Sequence, residues 1–143
     1  MNEMFPEYQM MQENQMMACP MGYENVMNSG YPVAGHYMNE HLVKTIQDCE
    51  ATCEHMTNHL KKLPDFQMRV KQAMLLRDCA DICGLTAKFV ARGAIFARQA
   101  AALCACICEA CGAECARFPD QMSQNCARVC MHCARECRVF AGI

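Results

Sequence analysis

Eight of the cysteines between Cys104 and Cys137 recur in a rhythm that an α-helix uses well and a strand would scatter. Cys104, Cys108, Cys111 and Cys115 are separated by steps of four, three and four residues, and Cys126, Cys130, Cys133 and Cys137 repeat those steps. Residues three and four apart share one stripe of an α-helix, whereas strand neighbours alternate between two faces. Each set of four thiols therefore lines a single helix face. Two such helices facing one another make a column of sulfur.

The same spacing extends upstream. Leu42, Ile46, Cys49, Cys53, Met56, Leu60 and Leu63 form one buried seam over about six turns. Pro64 is expected to close that helix, because the residue before a proline is pushed out of the α region, and Asp65 to cap the next by accepting from its free N–H groups. On the second helix Leu76, Cys79, Cys83, Thr86 and Val90 continue the stripe, and Gly93 marks the following turn. The third helix is expected from about residue 94 to 118 and the fourth from 121 to about 140. Leu63-Pro64-Asp65 and Phe118-Pro119-Asp120 are equivalent connections, so the chain reads as two similar hairpins. Short connections favour antiparallel neighbours. The expected fold is all-α: an antiparallel up-down-up-down four-helix bundle with a cysteine-lined core over residues 36–143, preceded by an extended N-terminal arm, residues 1–35.

Composition changes at that boundary. Residues 1–35 contain no Lys or Arg, eight of the fourteen Met and three of the four Tyr, and their Pro and Gly residues break any long helix. Fourteen cysteines in 143 residues suggest a disulfide scaffold in a secreted protein. The opening residues have neither a cationic start nor an apolar run, and no later segment reads as long and apolar enough to span a membrane. A cytoplasmic location follows as the expectation, and there a cysteine-dense chain points to metal. The net charge of −2, with scattered basic residues, gives no nucleic-acid signature. No Ser/His/Asp or paired-carboxylate constellation stands out, which argues against an enzyme.

Thiolate is a soft ligand that suits Cu(I), Zn(II) and iron–sulfur clusters. Zinc sites commonly draw on C-x-x-C knuckles in loops, and ferredoxin-type cysteines also sit in looped segments, whereas these stay helical. A helix with thiols at i and i+4 offers two sulfurs that can bend toward one low-coordinate Cu(I). Counting the helical rise from the two Pro-Asp connections puts Cys115 and Cys126 outermost. Next come Cys53, Cys108 and Cys130, then Cys49, Cys79, Cys104 and Cys133, and finally Cys83 and Cys137. Cys106 lies roughly on the opposite face of the third helix, and Cys19 lies in the arm.

The segment from Leu76 to Phe140, with A-D-I-C, C-I-C-E-A-C-G-A-E-C and C-A-R-V-C-M-H-C-A-R-E-C, resembles the four-helix-bundle copper storage proteins of bacteria. The resemblance covers roughly residues 40–140. It implies a cytosolic protein that stores and detoxifies multiple Cu(I) ions per chain inside the bundle and commonly assembles into a tetramer. The ligands it implies are Cys49, Cys53, Cys79, Cys83, Cys104, Cys108, Cys111, Cys115, Cys126, Cys130, Cys133 and Cys137. Helices one and two carry only one cysteine pair each, which implies a lower capacity than in cysteine-richer members, and the arm departs from the family pattern.

Plainer readings stand beside these. Cysteine is a good small hydrophobe and could simply fill the core, although Ala and Cys would leave a bore thinly packed unless ions bridged it. His55, Met56, His59, Met68 and Met122 offer a soft-ligand entrance at the Pro-Asp end, or are ordinary seam and surface residues. His132 is expected to point off the stripe, and His36 and His41 mark the other end. In the arm, Met10, Met11, Met16, Met17 and Met21 with Cys19 suit copper capture. Its Met residues interleaved with Phe5, Tyr8, Tyr23, Tyr31 and Tyr37 equally suit a strap linking subunits of a homo-oligomer, the favoured reading. The corresponding alternative function is a self-assembling structural protein in which metal is secondary.

Overall fold

A computed structural model describes residues 39–143; the arm, with Cys19 and His36 and the expected boundary at residue 35, lies outside the described residues. Four helices span the described chain: α1 Glu40–Leu60, α2 Val70–Ala91, α3 Ala97–Ala116 and α4 Gln121–Ala141. Each lies against its neighbour in sequence, and α4 closes the ring against α1. The up-down-up-down bundle is thus observed, with the seam residues Leu42, Ile46, Cys49, Cys53, Met56 and Leu60 buried along α1.

The two equivalent connections differ in detail. Asp120 caps α4 as its chemistry dictates, extended at φ −65° and ψ 145° and accepting the Ser123 N–H at 3.0 Å. Asp65 makes no such cap. Its carboxylate instead accepts from Arg69 Nε at 2.8 Å, and a 3-10 turn, Phe66–Arg69, separates it from α2. Nor does Pro64 itself end α1: the last helical residue is Leu60, and the chain turns through Lys62 and Leu63, whose N–H groups donate to the carbonyls of His59 and Leu60. Gly93 and Gly142 turn the chain at the opposite end with φ of 62° and 78°, values that favour glycine. The Gly142 N–H donates to the Arg138 carbonyl at 2.9 Å and so satisfies one of the unpaired carbonyls closing α4.

The helices contribute unequally to the core. The largest fully buried side chains, Ile46, Met56, Leu60, Leu76, Gln72 and Val90, all belong to α1 and α2. Apart from cysteine, α3 and α4 bury chiefly alanine: Ala97, Ala101, Ala102, Ala105, Ala127, Ala134 and Ala141. Small residues bring those two helices close. Met131 of α4 lies across Gly112 of α3, where an added Cβ would meet its Sδ at 3.0 Å. The Arg138 guanidinium then ties the pair together, donating to both Glu109 carboxylate oxygens at 2.5 and 2.7 Å.

One sequence expectation is corrected here. α3 is long and apolar enough to cross a membrane by length and composition, with a mean hydropathy of 1.2. Its hydropathy comes from the Ala and Cys that it buries against the other helices, which is the composition of a core helix.

Candidate metal centre

All twelve stripe cysteines are fully buried and free of disulfides. Helix periodicity turns each one inward, and the four-fold ring of helices brings the stripes together. Cys106 is also buried, at 5% exposure, but stands apart from the core cluster that the twelve share, in line with its expected position on α3.

The sulfur atoms form a connected column. Cys130 of α4 is its hub at the Pro-Asp side, with Cys53 at 3.6 Å, Cys111 at 3.8 Å, Cys49 at 3.9 Å and Cys126 at 4.0 Å. Cys49 leads to Cys79 at 3.9 Å and Cys79 to Cys108 at 3.5 Å. Cys108 is the second hub, with Cys83 and Cys104 both at 3.8 Å. Among the described residues three groups converge within 4.8 Å: Cys49, Cys53, Cys79 and Cys130; Cys49, Cys83, Cys108 and Cys133; and Cys104, Cys133 and Cys137. Cys49 and Cys133 each belong to two groups, so a thiolate there can bridge neighbouring ions.

These separations fit bound metal. A metal–sulfur bond of about 2.3 Å requires sulfurs about 3.8 Å apart in tetrahedral geometry, about 4.0 Å in trigonal and about 4.6 Å in linear geometry. The contacts of 3.5–4.0 Å fall near the first two values, and the 4.8 Å groupings span the third. No large movement is needed to seat ions between the thiols. An isolated zinc site would use one tetrahedral set; overlapping sets sharing Cys49 and Cys133 suit a polynuclear thiolate cluster.

The register differs from the axial count in one respect. Cys79 meets Cys108, and Cys83 meets Cys104, each one layer nearer the Pro-Asp end than a count from Asp65 gives. Residues 61–69 form the connection and the 3-10 turn, so α2 begins at Val70 and its cysteines gain less depth.

Proton sharing polarises the column. The Cys108 thiol is pushed up by hydrogen bonding to Cys104 first, then to Cys133, Cys49 and Cys79, and by burial. Cys49, Cys79 and Cys104 are pulled down, in each case chiefly by their bond to Cys108. Cys126 is lowered to about 2, first by Cys115 and then by Cys130 and Cys53. A proton held on one sulfur thus favours thiolate on its neighbour, and Cu(I) replacing those shared protons meets sulfurs already paired for it.

The Pro-Asp end is closed by a polar cluster that sequence reasoning missed. Gln72, fully buried, donates through Nε2 to Cys115 Sγ at 3.5 Å and to Ser123 Oγ at 2.9 Å. Arg69 Nη1 donates to Asp120 Oδ1 at 2.9 Å and to Gln72 Oε1 and Ser123 Oγ, both at 3.3 Å, and its guanidinium lies 4.4 Å over the Phe118 ring. Burial opposes the Arg69 charge, but Asp65 and Asp120 outweigh it and raise its pKa. A signal was present: Gln72, Leu76, Cys79 and Cys83 continue the steps of four, three and four, so Gln72 belongs to the inner stripe. Arg69, on the connection, carried none.

Of the other donors, Met56 is buried in the core and Met122 is half-buried against it. His55 is exposed, with its ring stacked 6.5 Å from that of His59. Met68 is 80% exposed and plays no part in the column, and His41 and His132 also face outward.

Comparison with known proteins leads to the same chemistry. The family model described as copper storage protein matches residues 36–142. An uncharacterized cysteine-rich protein of Bacillus subtilis (strain 168), YhjQ, is 37% identical over 81 residues, 55% of this chain and 73% of its own length. The Cu(I)-bound copper storage protein BsCsp3 of Bacillus subtilis superposes with a TM-score of 0.68 at 36% identity, over 72% of this chain and 97% of that one. A cytosolic copper storage protein from Streptomyces lividans, captured with five coppers, gives a TM-score of 0.68 at 27% identity, over 71% of this chain and 90% of that one.

Proposed function

The chain belongs to the copper storage protein family, and on that footing we propose that it stores and detoxifies multiple Cu(I) ions per chain in the cytoplasm. The carrying observation is the continuous buried thiol column, with sulfur contacts of 3.5–4.0 Å and overlapping groups that share Cys49 and Cys133. The ligands in this reading are Cys49, Cys53, Cys79, Cys83, Cys104, Cys108, Cys111, Cys115, Cys126, Cys130, Cys133 and Cys137. Thiolates without counter-charge would be costly in so buried a site, and each Cu(I) offsets one of them. Binding is ligand exchange: a thiol proton leaves as a copper–sulfur bond forms, with no change in oxidation state. Storage rather than catalysis is the role such a site suits, since the twelve thiols are fully buried and present no face to a substrate.

In the same reading, residues 1–35 form an arm distinct from the bundle at 36–143, and the arm links chains into a homo-oligomer such as a tetramer. Its interleaved Met and Tyr suit a contact surface. Deleting residues 1–35 is expected to reduce the assembly size, measured by light scattering, with copper uptake per chain unchanged.

Anaerobic titration of the fully reduced chain with Cu(I) against a competing chelator, with free thiols counted in parallel, tests the central reading. Many ions per chain, with thiols protected in step, is the expected result. Uptake of one ion or none would reject it.

A further inference from the structure

Among the described residues the column is shut along its axis. Arg69, Gln72, Ser123 and Asp120 cover Cys115 at the Pro-Asp end. At the other end, Leu42, Val90, Ala97, Ala101 and Ala141 are buried and offer no soft donor. A cavity of about 360 Å³ opens instead on the flank between α1 and α4, lined by Thr52, His55 and Met56 from α1 and Gln121, Met122 and Asn125 from α4.

The donors in this cavity are selective. It has two thioethers and one imidazole, with amide and hydroxyl groups beside them, and no carboxylate. Such a set has little attraction for Ca²⁺ or Mg²⁺, which require hard oxygen ligands, and favours a soft monovalent ion. Helix geometry sets the cavity beside the column. Met56 lies one turn from Cys53 on the buried face of α1, and Met122 lies one turn from Cys126 on α4. Cys53 and Cys126 both contact Cys130, the hub from which the remaining thiols follow. Exposure falls along the same line: His55 is exposed, Met122 half-buried, Met56 2% exposed and Cys53 fully buried.

We propose that this flank cavity is the transfer site through which Cu(I) reaches the thiols, with Met122 and Met56 as its ligands and His55 at its rim. The proposal rests on the copper-storage reading and assigns it a route. The incoming ion arrives as a complex with a small thiolate carrier. The thioethers of Met122 and Met56 add to the low-coordinate ion while it still holds the carrier thiolate. Cys53 then forms its bond to copper as the carrier's bond breaks, its proton passes to the departing carrier thiolate, and the thioethers are released. Copper remains Cu(I) throughout. Thioethers suit this step because they bind Cu(I) without a charge and yield to thiolate.

Stopped-flow transfer from a chromophoric Cu(I) chelate to the reduced full-length chain separates route from capacity. The Met56→Leu, Met122→Leu double variant conserves core volume. It is expected to take up copper about tenfold more slowly or worse, with the same final number of ions per chain. Gln121→Trp fills the exposed rim without altering the core and is expected to slow uptake likewise. Met68→Leu, outside the cavity, is expected to match the parent. Parent-like rates in both the double variant and Gln121→Trp would overturn the proposal and leave storage intact. An equal slowing by Met68→Leu would also overturn it, since the effect would then not belong to the cavity. If the parent itself takes up no copper, the storage reading fails and the route with it.

Discussion

The two hairpins of the bundle divide its labour. α1 and α2 supply bulk, in Ile46, Met56, Leu60, Leu76 and Val90, together with four thiols of the column. α3 and α4 supply eight thiols and pack with alanine. Each buried Leu or Ile contributes about 1.5–3 kcal/mol, and alanine far less. Apolar bulk thus comes mainly from the first hairpin and thiols mainly from the second. A bore can be lined with small polarisable donors when the neighbouring helices fill the remaining volume.

Removing thiols should break this comparison most visibly. Replacing the eight α3–α4 cysteines of the column by Ala is expected to remove about two-thirds or more of the bound copper, since thiolate holds Cu(I) more strongly than the thioethers beside it. Replacing the four of α1 and α2 should cost about one-third. Metal analysis after gel filtration distinguishes these outcomes, and equal losses would mean that the hairpins do not differ as ligand donors.

Stability changes should run the other way. Arg69→Ala strands Asp65, Asp120 and Gln72 and unties the two hairpins at the Pro-Asp end. Its expected cost in urea unfolding is about 3 kcal/mol, the lower end for a broken buried pair because both carboxylates keep some water. Leu76→Ala is expected to cost about 2–5 kcal/mol, whereas Ala105→Gly at an equally buried place on α3 should cost about 1 kcal/mol. Similar losses at the two positions would erase the distinction in bulk.

The smallest effect sharpens the contrast between the two connections. Asp120→Ala removes the α4 cap and one of the two carboxylates paired with Arg69, and is expected to cost at least about 1 kcal/mol, whereas Asp65, which caps nothing, should matter only through Arg69. Burial raises the Asp120 pKa, but the Ser123 N–H and the Arg69 guanidinium outweigh it and leave the pKa below the ordinary value. A depressed carboxylate stabilises the fold fully above its unfolded pKa of about 3.9 and loses that contribution as pH falls through the folded value. Acid titration of the apo protein should therefore show a stability decrease below about pH 4 that is diminished in Asp120→Ala. An identical acid profile in the variant would remove Asp120 from the account.

Much of this was legible in the residues. The three-four spacing marked the twelve inward cysteines, and the structure buries all of them. Phe118-Pro119-Asp120 and Leu63-Pro64-Asp65 are both connections, as the sequence indicates, but only Asp120 caps a helix; Asp65 precedes a 3-10 turn and not the first turn of α2. Met68 read as a candidate donor from its position beside the turn, yet it faces outward; Met56 and Met122 face the flank cavity. Gln72 is legible as a stripe position, but its partners Arg69 and Ser123 come from other elements.

Periodicity determines which face of a helix a residue occupies, since that depends only on the rotation per residue along one element. By itself the sequence therefore determined the helices, their inner stripes and the soft character of the bore. Which thiols meet across helices is a different quantity. It depends on how residues 61–69 consume chain before α2 begins, and that choice places Cys79 beside Cys108 and Cys83 beside Cys104. The Arg69 cluster over Cys115 and the cavity between α1 and α4 likewise join residues more than fifty positions apart in sequence. Only the tertiary structure decided these, because relative depth and rotation between helices are set by connections and packing that no single helix contains.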